Sequence, residues 1–173
     1  GLTWACGVAP GPRGDARDPG APTTAPHRQR RCSLGTKIVP RLGAMSFAVE
    51  RMNAVRGDVE ARAGGLPAGD PLAQRLRDAS ANVDALRRKI VATKEGGMIT
   101  GEERLRENLA ALYGSVNGYE GRPSQMQVNR TGSIGRELGD VTKQFNGWIS
   151  SELGPINTML VSRKLPPIEV FVP

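Results

Sequence analysis

Two ladders of apolar residues organise the chain. Leu72, Leu76, Ala79, Val83, Leu86 and Ile90 step by four or three residues, and Thr131, Ile134, Leu138, Val141, Phe145 and Trp148 repeat that stepping farther on. This spacing puts one side chain per turn on a single stripe of a helix, and a stripe in water has to be covered. The ladders therefore predict helices packed against each other. Ala48, Met52, Val55 and Val59 mark another helix, over about Ser46 to Ala63, and Leu105, Leu109, Leu112 and Val116 a shorter one.

Local signals bound these elements. Gly64 and Gly65 stop the first helix, since glycine takes the left-handed conformation that closes a helix end. Asp70 and Pro71 start the second, an N-cap acceptor followed by a proline whose missing donor is not needed there. That helix is expected to reach about Lys94 and to end at Gly96 and Gly97. Thr100, Gly101, Glu102 and Glu103 read as a capping box for the third helix, and Ser124 with Gln127 as one for the fourth, which extends to about Leu153. Pro155 kinks a continuing helix or starts a new turn through Leu160. Consecutive prolines make Leu165 to Phe171 extended, with its apolar residues along the outside of the bundle. Gly132, Gly135 and Gly139 share a face of helix four, which reads equally as a close approach by another helix or as a helix merely weakened there.

Four helices with short connections imply an all-α, antiparallel up-down four-helix bundle. Leu76, Val83, Ile90, Leu138, Val141 and Trp148 are its expected core. The bundle domain covers residues 45–173, with the helices ending near 163 and an extended tail after them. Residues 1–44 hold six prolines and seven glycines, together with Arg28, Gln29, Arg30 and Arg31 in a row, and are expected to be a disordered basic segment. Leu34, Ile38, Val39 and Leu42 offer that segment one short docking contact. The change of composition near Met45 is abrupt enough to place the start of the natural domain there, with the upstream part a linker or an extended reading frame.

Composition changes this picture little. The 173 residues carry a formal net charge of +7 and only 4% aromatics. Residues 1–44 hold seven Lys or Arg against Asp15 and Asp18, while residues 45–173 hold 17 against 15 acidic residues. The basic character is thus assigned to the tail, which argues against a folded basic face and against specific nucleic-acid recognition. No apolar run is long enough to span a bilayer, and no basic-then-apolar start marks a signal peptide. Cys6 and Cys32 could pair, but no framework depends on them; they read as free or incidental thiols and leave the redox compartment open.

Candidate chemistry is sparse. His27 is the one histidine, so no metal site built on a histidine cluster is expected. The chain has no Walker loop, no GxGxxG and no GxSxG, and neither a cofactor nor a catalytic residue is assigned. Glu102, Glu103 and Glu107 read as charges placed against the dipole of helix three. The most site-like stretch is Gly118 to Pro123, whose Tyr119, Glu120 and Arg122 form a possible interaction loop.

Several short pieces taken together carry a resemblance: Ile90 to Gly97, Thr100 to Glu103, Leu112-Tyr113-Gly114, Gly121-Arg122-Pro123, Phe145-Asn146 and Glu152 to Asn157. The stretch from about Ser46 to Ile168 resembles the C-terminal helical region of large bacterial proteins with BNR-repeat or sortilin-like β-propellers, often labelled glycosyl hydrolases. Gly154 departs from that pattern by separating Leu153 from Pro155. The resemblance implies a non-catalytic accessory domain that packs against a β-propeller or self-associates through its helices, in a family often exported. Any glycosidase activity would belong to the propeller, so no catalytic residue carries over. Two alternatives stand beside this: a hydrolase-associated protein by family label only, or an electrostatic binder of nucleic acid or acidic lipid through the basic tail.

Overall fold

The apolar stripe of the first helix does not begin at Ala48. Leu34, Ile38 and Met45 lie in the same phase upstream of it, and all three are buried. In the computed structural model, which describes residues 25–93, 102–119 and 121–170, they belong to one 40-residue helix, α1, Ala25–Gly64. The expectation of a disordered segment over 1–44 is corrected for residues 25–44. The helix runs straight through the expected boundary at 44/45, and residues 1–24 lie outside the described residues. Pro40 sits inside α1, where a proline removes one backbone bond at about 3 kcal/mol. Burial of Leu34 and Ile38 outweighs that, at about 1.5–3 kcal/mol each. In the turn before Pro40 the Arg41 guanidinium donates to the Lys37 carbonyl.

After α1, Gly69 takes a positive φ of 86°, and the Asp70 carboxylate accepts from the Leu72 N–H at 2.8 Å to start α2, Pro71–Ile90. The helix ends at Ile90, before the expected Lys94, because Val91 turns extended and is itself buried. The expected stop at Gly96 and Gly97 lies outside the described residues, as do Thr100 and Gly101 of the expected capping box. The third helix, α3, spans Leu105–Gly118. Its start is held by Glu107, whose carboxylate accepts from the Arg104 N–H and from Ala92 N–H, each at 3.1 Å. Glu102 faces the end of α2 instead, accepting from the Thr93 N–H at 3.2 Å.

The fourth helix, α4, Gln125–Trp148, begins with the expected box: Ser124 Oγ accepts from the Gln127 N–H, and Gln127 Oε1 accepts from the Ser124 N–H. It continues through a π-helical turn, Ile149–Leu153, into α5, Gly154–Ser162. Pro155 accounts for the wider turn, since it has no N–H for the Ser151 carbonyl and its ring would crowd that carbonyl in a regular helix.

Cross-helix pairs fix the directions. Arg56 pairs with Asp84 and Ser80 with Glu60, so α1 and α2 run in opposite senses. Arg31 reaches Tyr119, Arg41 lies over Gly135 and Arg51 reaches Asn146, so α1 and α4 run in the same sense. That order is not the alternation of an up-down bundle. α3 begins beside the end of α2 and finishes beside Arg31, so α2 and α3 follow one another along α1, which is about 60 Å long. The described residues therefore form an all-helical bundle in which α1 and the α4–α5 column flank α2 at one end and α3 at the other.

The core matches the expected set with one exception. Leu76, Val83, Ile90, Leu138 and Val141 are buried, while Trp148 is half-buried and stacks on buried Phe145 with ring centroids 6.4 Å apart. The tail does not lie along the outside. Ile168 is buried, its backbone N–H and C=O both bonded to the Asn157 side chain, and Arg62 donates to the carbonyls of Pro166 and Pro167. Backbone polar groups of an extended segment need such partners where packing against the bundle removes them from water.

Candidate functional site

At the end of the bundle formed by α3, the chain turns tightly between α3 and α4. Tyr119 is 62% exposed, and its ring lies over Gly121 so closely that a Cβ there would sit 2.2 Å from ring Cε1. The Arg31 guanidinium donates to the Tyr119 carbonyl at 3.0 Å, tying the start of α1 to this turn. Arg122 is exposed beside it, and Glu120 lies outside the described residues. The structure thus brings Tyr119 and Arg122 into one turn, and joins to them two apolar residues that the sequence reading did not single out. Met126 is 79% exposed and Val128 is also exposed, both in the first turn of α4. For Met126 the signal was its phase, which falls off the stripe that Thr131, Ile134 and Leu138 bury.

The fold also gathers charge at this end. Residues 25–49 and 108–136 hold eight Lys or Arg and one acidic residue, Glu120, whereas all other residues hold sixteen of each. The formal excess of +7 is therefore carried entirely by these two stretches. They are neighbours because α1 and α4 run in the same sense, with Arg41 packed over Gly135 and Ser115 bonded to Gln127. This corrects the assignment of the basic character to a tail: Arg28, Arg30, Arg31, Lys37 and Arg41 stand on a helix that is folded against the helix bearing Arg130 and Arg136. Arg130 pairs with Glu137 at 3.2 Å, while Arg30, Lys37, Arg122 and Arg136 have no carboxylate partner among the described residues. The three glycines of α4 are explained only in part. An arginine side chain, not a backbone, approaches Gly135, and nothing crowds Gly139.

The opposite end carries most of the ion pairs among the described residues. Asp84 accepts from Arg87 and Arg88 and pairs with Arg56 at 3.0 Å, bridging α1 and α2. Burial would raise its carboxyl, but hydrogen bonds from Arg87 and Arg88 and the charge of Arg56 together hold it below the usual range. Glu60 is lowered chiefly by the Ser80 hydroxyl, and Asp70 by the Leu72 N–H and then Arg163. A shallow cleft of about 290 Å³ lies at this end, lined by Arg75, Asp78, Ala79, Asn82, Trp148, Glu152 and Ile156. Arg75 and Glu152 face each other across it at 3.5 Å, and the Trp148 Nε1 nearby is buried without a hydrogen-bond partner among the described residues. Asp58, Glu60, Asp70, Asp84 and Glu152 at this end are thus engaged with arginines, and Asp78 accepts from Gln74.

Among the described residues there is no group of three or more His, Cys, Asp or Glu placed to hold a metal ion, and no helix is long and apolar enough to cross a membrane. Cys32, read from the sequence as an incidental thiol, is disulfide-bonded, and Cys6 lies outside the described residues. Fold and surface define the class as an all-α protein with one strongly basic end. No family model matches the chain, and neither a curated protein nor a solved structure matches it.

Proposed function

We propose that this chain is a non-catalytic interaction domain that engages an acidic partner through its α3 end. The observation that carries this reading is the confinement of the whole formal charge excess to residues 25–49 and 108–136, around an exposed Tyr119 and Met126. A potential of one sign concentrated on one end steers and holds an oppositely charged surface. The alternative docking surface, the apolar stripes of the helices, is used up inside the bundle: Leu76, Val83, Ile90, Leu138 and Val141 are all buried. Packing against a β-propeller would accordingly proceed through this end and not through the stripes, and self-association would have to join this end to an acidic surface of the second copy.

Retention on a heparin column tests the reading. The triple variant Arg30→Glu, Arg122→Glu, Arg136→Glu is expected to elute at clearly lower salt than the unmodified chain, since each lost phosphate or sulfate contact lowers the salt dependence. The variant Arg77→Glu, Lys89→Glu, Lys143→Glu has the same net charge but is altered outside the basic end, and is expected to elute close to the unmodified chain. Equal shifts of the two variants would show that net charge alone, without a site, governs retention.

A further inference from the structure

We infer that the acidic partner is an anionic phospholipid surface, entered tip-first by the turn between α3 and α4; this rests on the function proposed above. Three exposed side chains with apolar bodies, Tyr119, Met126 and Val128, fall within ten residues of one another at the tip of the basic end. Exposed apolar groups at a tip lose area to water when they enter the boundary between headgroups and acyl chains, and Tyr suits that boundary because its hydroxyl stays wet. Around them, Arg122 lies in the turn itself and Arg31 is bonded to Tyr119, with Arg30 beside it in sequence. These are the cations a layer of acidic headgroups would meet at this turn, set against the one carboxylate, Glu120, in the same stretch of sequence.

The choice between lipid and nucleic acid follows from which side chains project. A nucleic acid rewards exposed aromatic faces, and among the described residues Tyr119 is the one exposed aromatic ring at this tip; Met126 and Val128 give nothing to stack on a base. A lipid boundary rewards all three. Distance along the bundle separates the two partners further. Arg136 lies eleven residues into α4 from Gln125, about 16 Å from the tip, beyond the Debye length of about 8 Å at physiological salt. For tip-first membrane binding Arg136 is therefore a weak contributor and Arg122 a strong one. For a duplex lying along the flank of α1 and α4 the two would count alike.

Sedimentation of the full chain with phosphatidylcholine vesicles, with and without phosphatidylserine, reads this directly. Binding is expected only with phosphatidylserine. Met126→Ser is expected to weaken it about tenfold through lost apolar burial, with heparin retention unchanged. Arg122→Gln is expected to weaken it about fivefold and Arg136→Gln less than about twofold. Vesicle binding that is absent, or that ignores Met126→Ser while the heparin difference persists, would overturn the lipid assignment and leave the proposed function standing. Tighter binding to a duplex oligonucleotide, weakened equally by Arg122→Gln and Arg136→Gln, would replace lipid with nucleic acid. Loss of the heparin difference as well would remove both readings.

Discussion

Ile38→Ala is expected to destabilise the folded chain by about 3 kcal/mol in urea unfolding, and Val39→Ala by less than about 0.5 kcal/mol. The two residues are neighbours in a stretch whose proline and glycine content reads as disordered. Ile38 is fully buried, whereas Val39 is 50% exposed. Truncating the first leaves a cavity in the contact of α1 with its neighbours, and the second leaves none. A disordered segment would make the two substitutions equally silent, so the contrast between them, more than either value, reports that the helix is formed and in this phase. Unfolding followed by far-ultraviolet circular dichroism gives both numbers from one type of curve.

Phe145→Ala should have the largest effect of any single truncation in the bundle, about 4 kcal/mol. Phe145 is among the largest fully buried side chains. It stacks on Trp148 with its ring plane within 3° of parallel, and the Arg51 guanidinium of α1 lies 5.4 Å from its centroid. The residue thus joins α1 to α4 and supports the edge of the shallow cleft at once. Loss of the ring removes burial, the stacked contact and the cation–π contact together. Phe145→Leu, which keeps most of the volume, is expected to retain more than half of that stability. The two variants separate filling of the core from a specific need for the ring, and thermal unfolding of each beside the unmodified chain measures the difference.

How much of this was legible in the sequence depends on how local the signal was. Asp70 with Pro71 and Ser124 with Gln127 were readable because capping involves residues at most three apart, and the ladders of α2 and α4 because a stripe repeats every turn. The first half of α1 carried the same kind of signal. Leu34, Ile38 and Met45 continue the stripe of Ala48 and Met52 without a change of phase. Pro40, Gly35 and Gly43 masked it, because propensity weighs each residue alone whereas burial against α3 and α4 acts on the whole stripe. The direction of α3 was hidden for another reason. α3 starts beside the end of α2, where Glu107 accepts from the Ala92 N–H, and continues in the direction of α2, whereas a short connection was assumed to reverse it.

The basic end was invisible because charge was counted along the chain and not in space. Divided at residue 44, the arginines of α1 look like a tail, and Arg122, Arg130 and Arg136 vanish into a nearly neutral remainder. Only the shared direction of α1 and α4 brings the two sets together. Of the interaction loop, Tyr119 and Arg122 are found in one turn at that end, while Met126 and Val128, its most plainly apolar part, were passed over as ordinary helix residues.

The central claim is that residues 34–48 are a folded part of the bundle and so carry their charges to one end. Hydrogen exchange of the full chain, read by mass spectrometry, tests it most directly. Amides from Leu34 to Ala48 are expected to be protected to a degree comparable with those from Met52 to Val59 in the same helix. Exchange of the first group at the rate of an unstructured chain, with the second protected, would contradict the account.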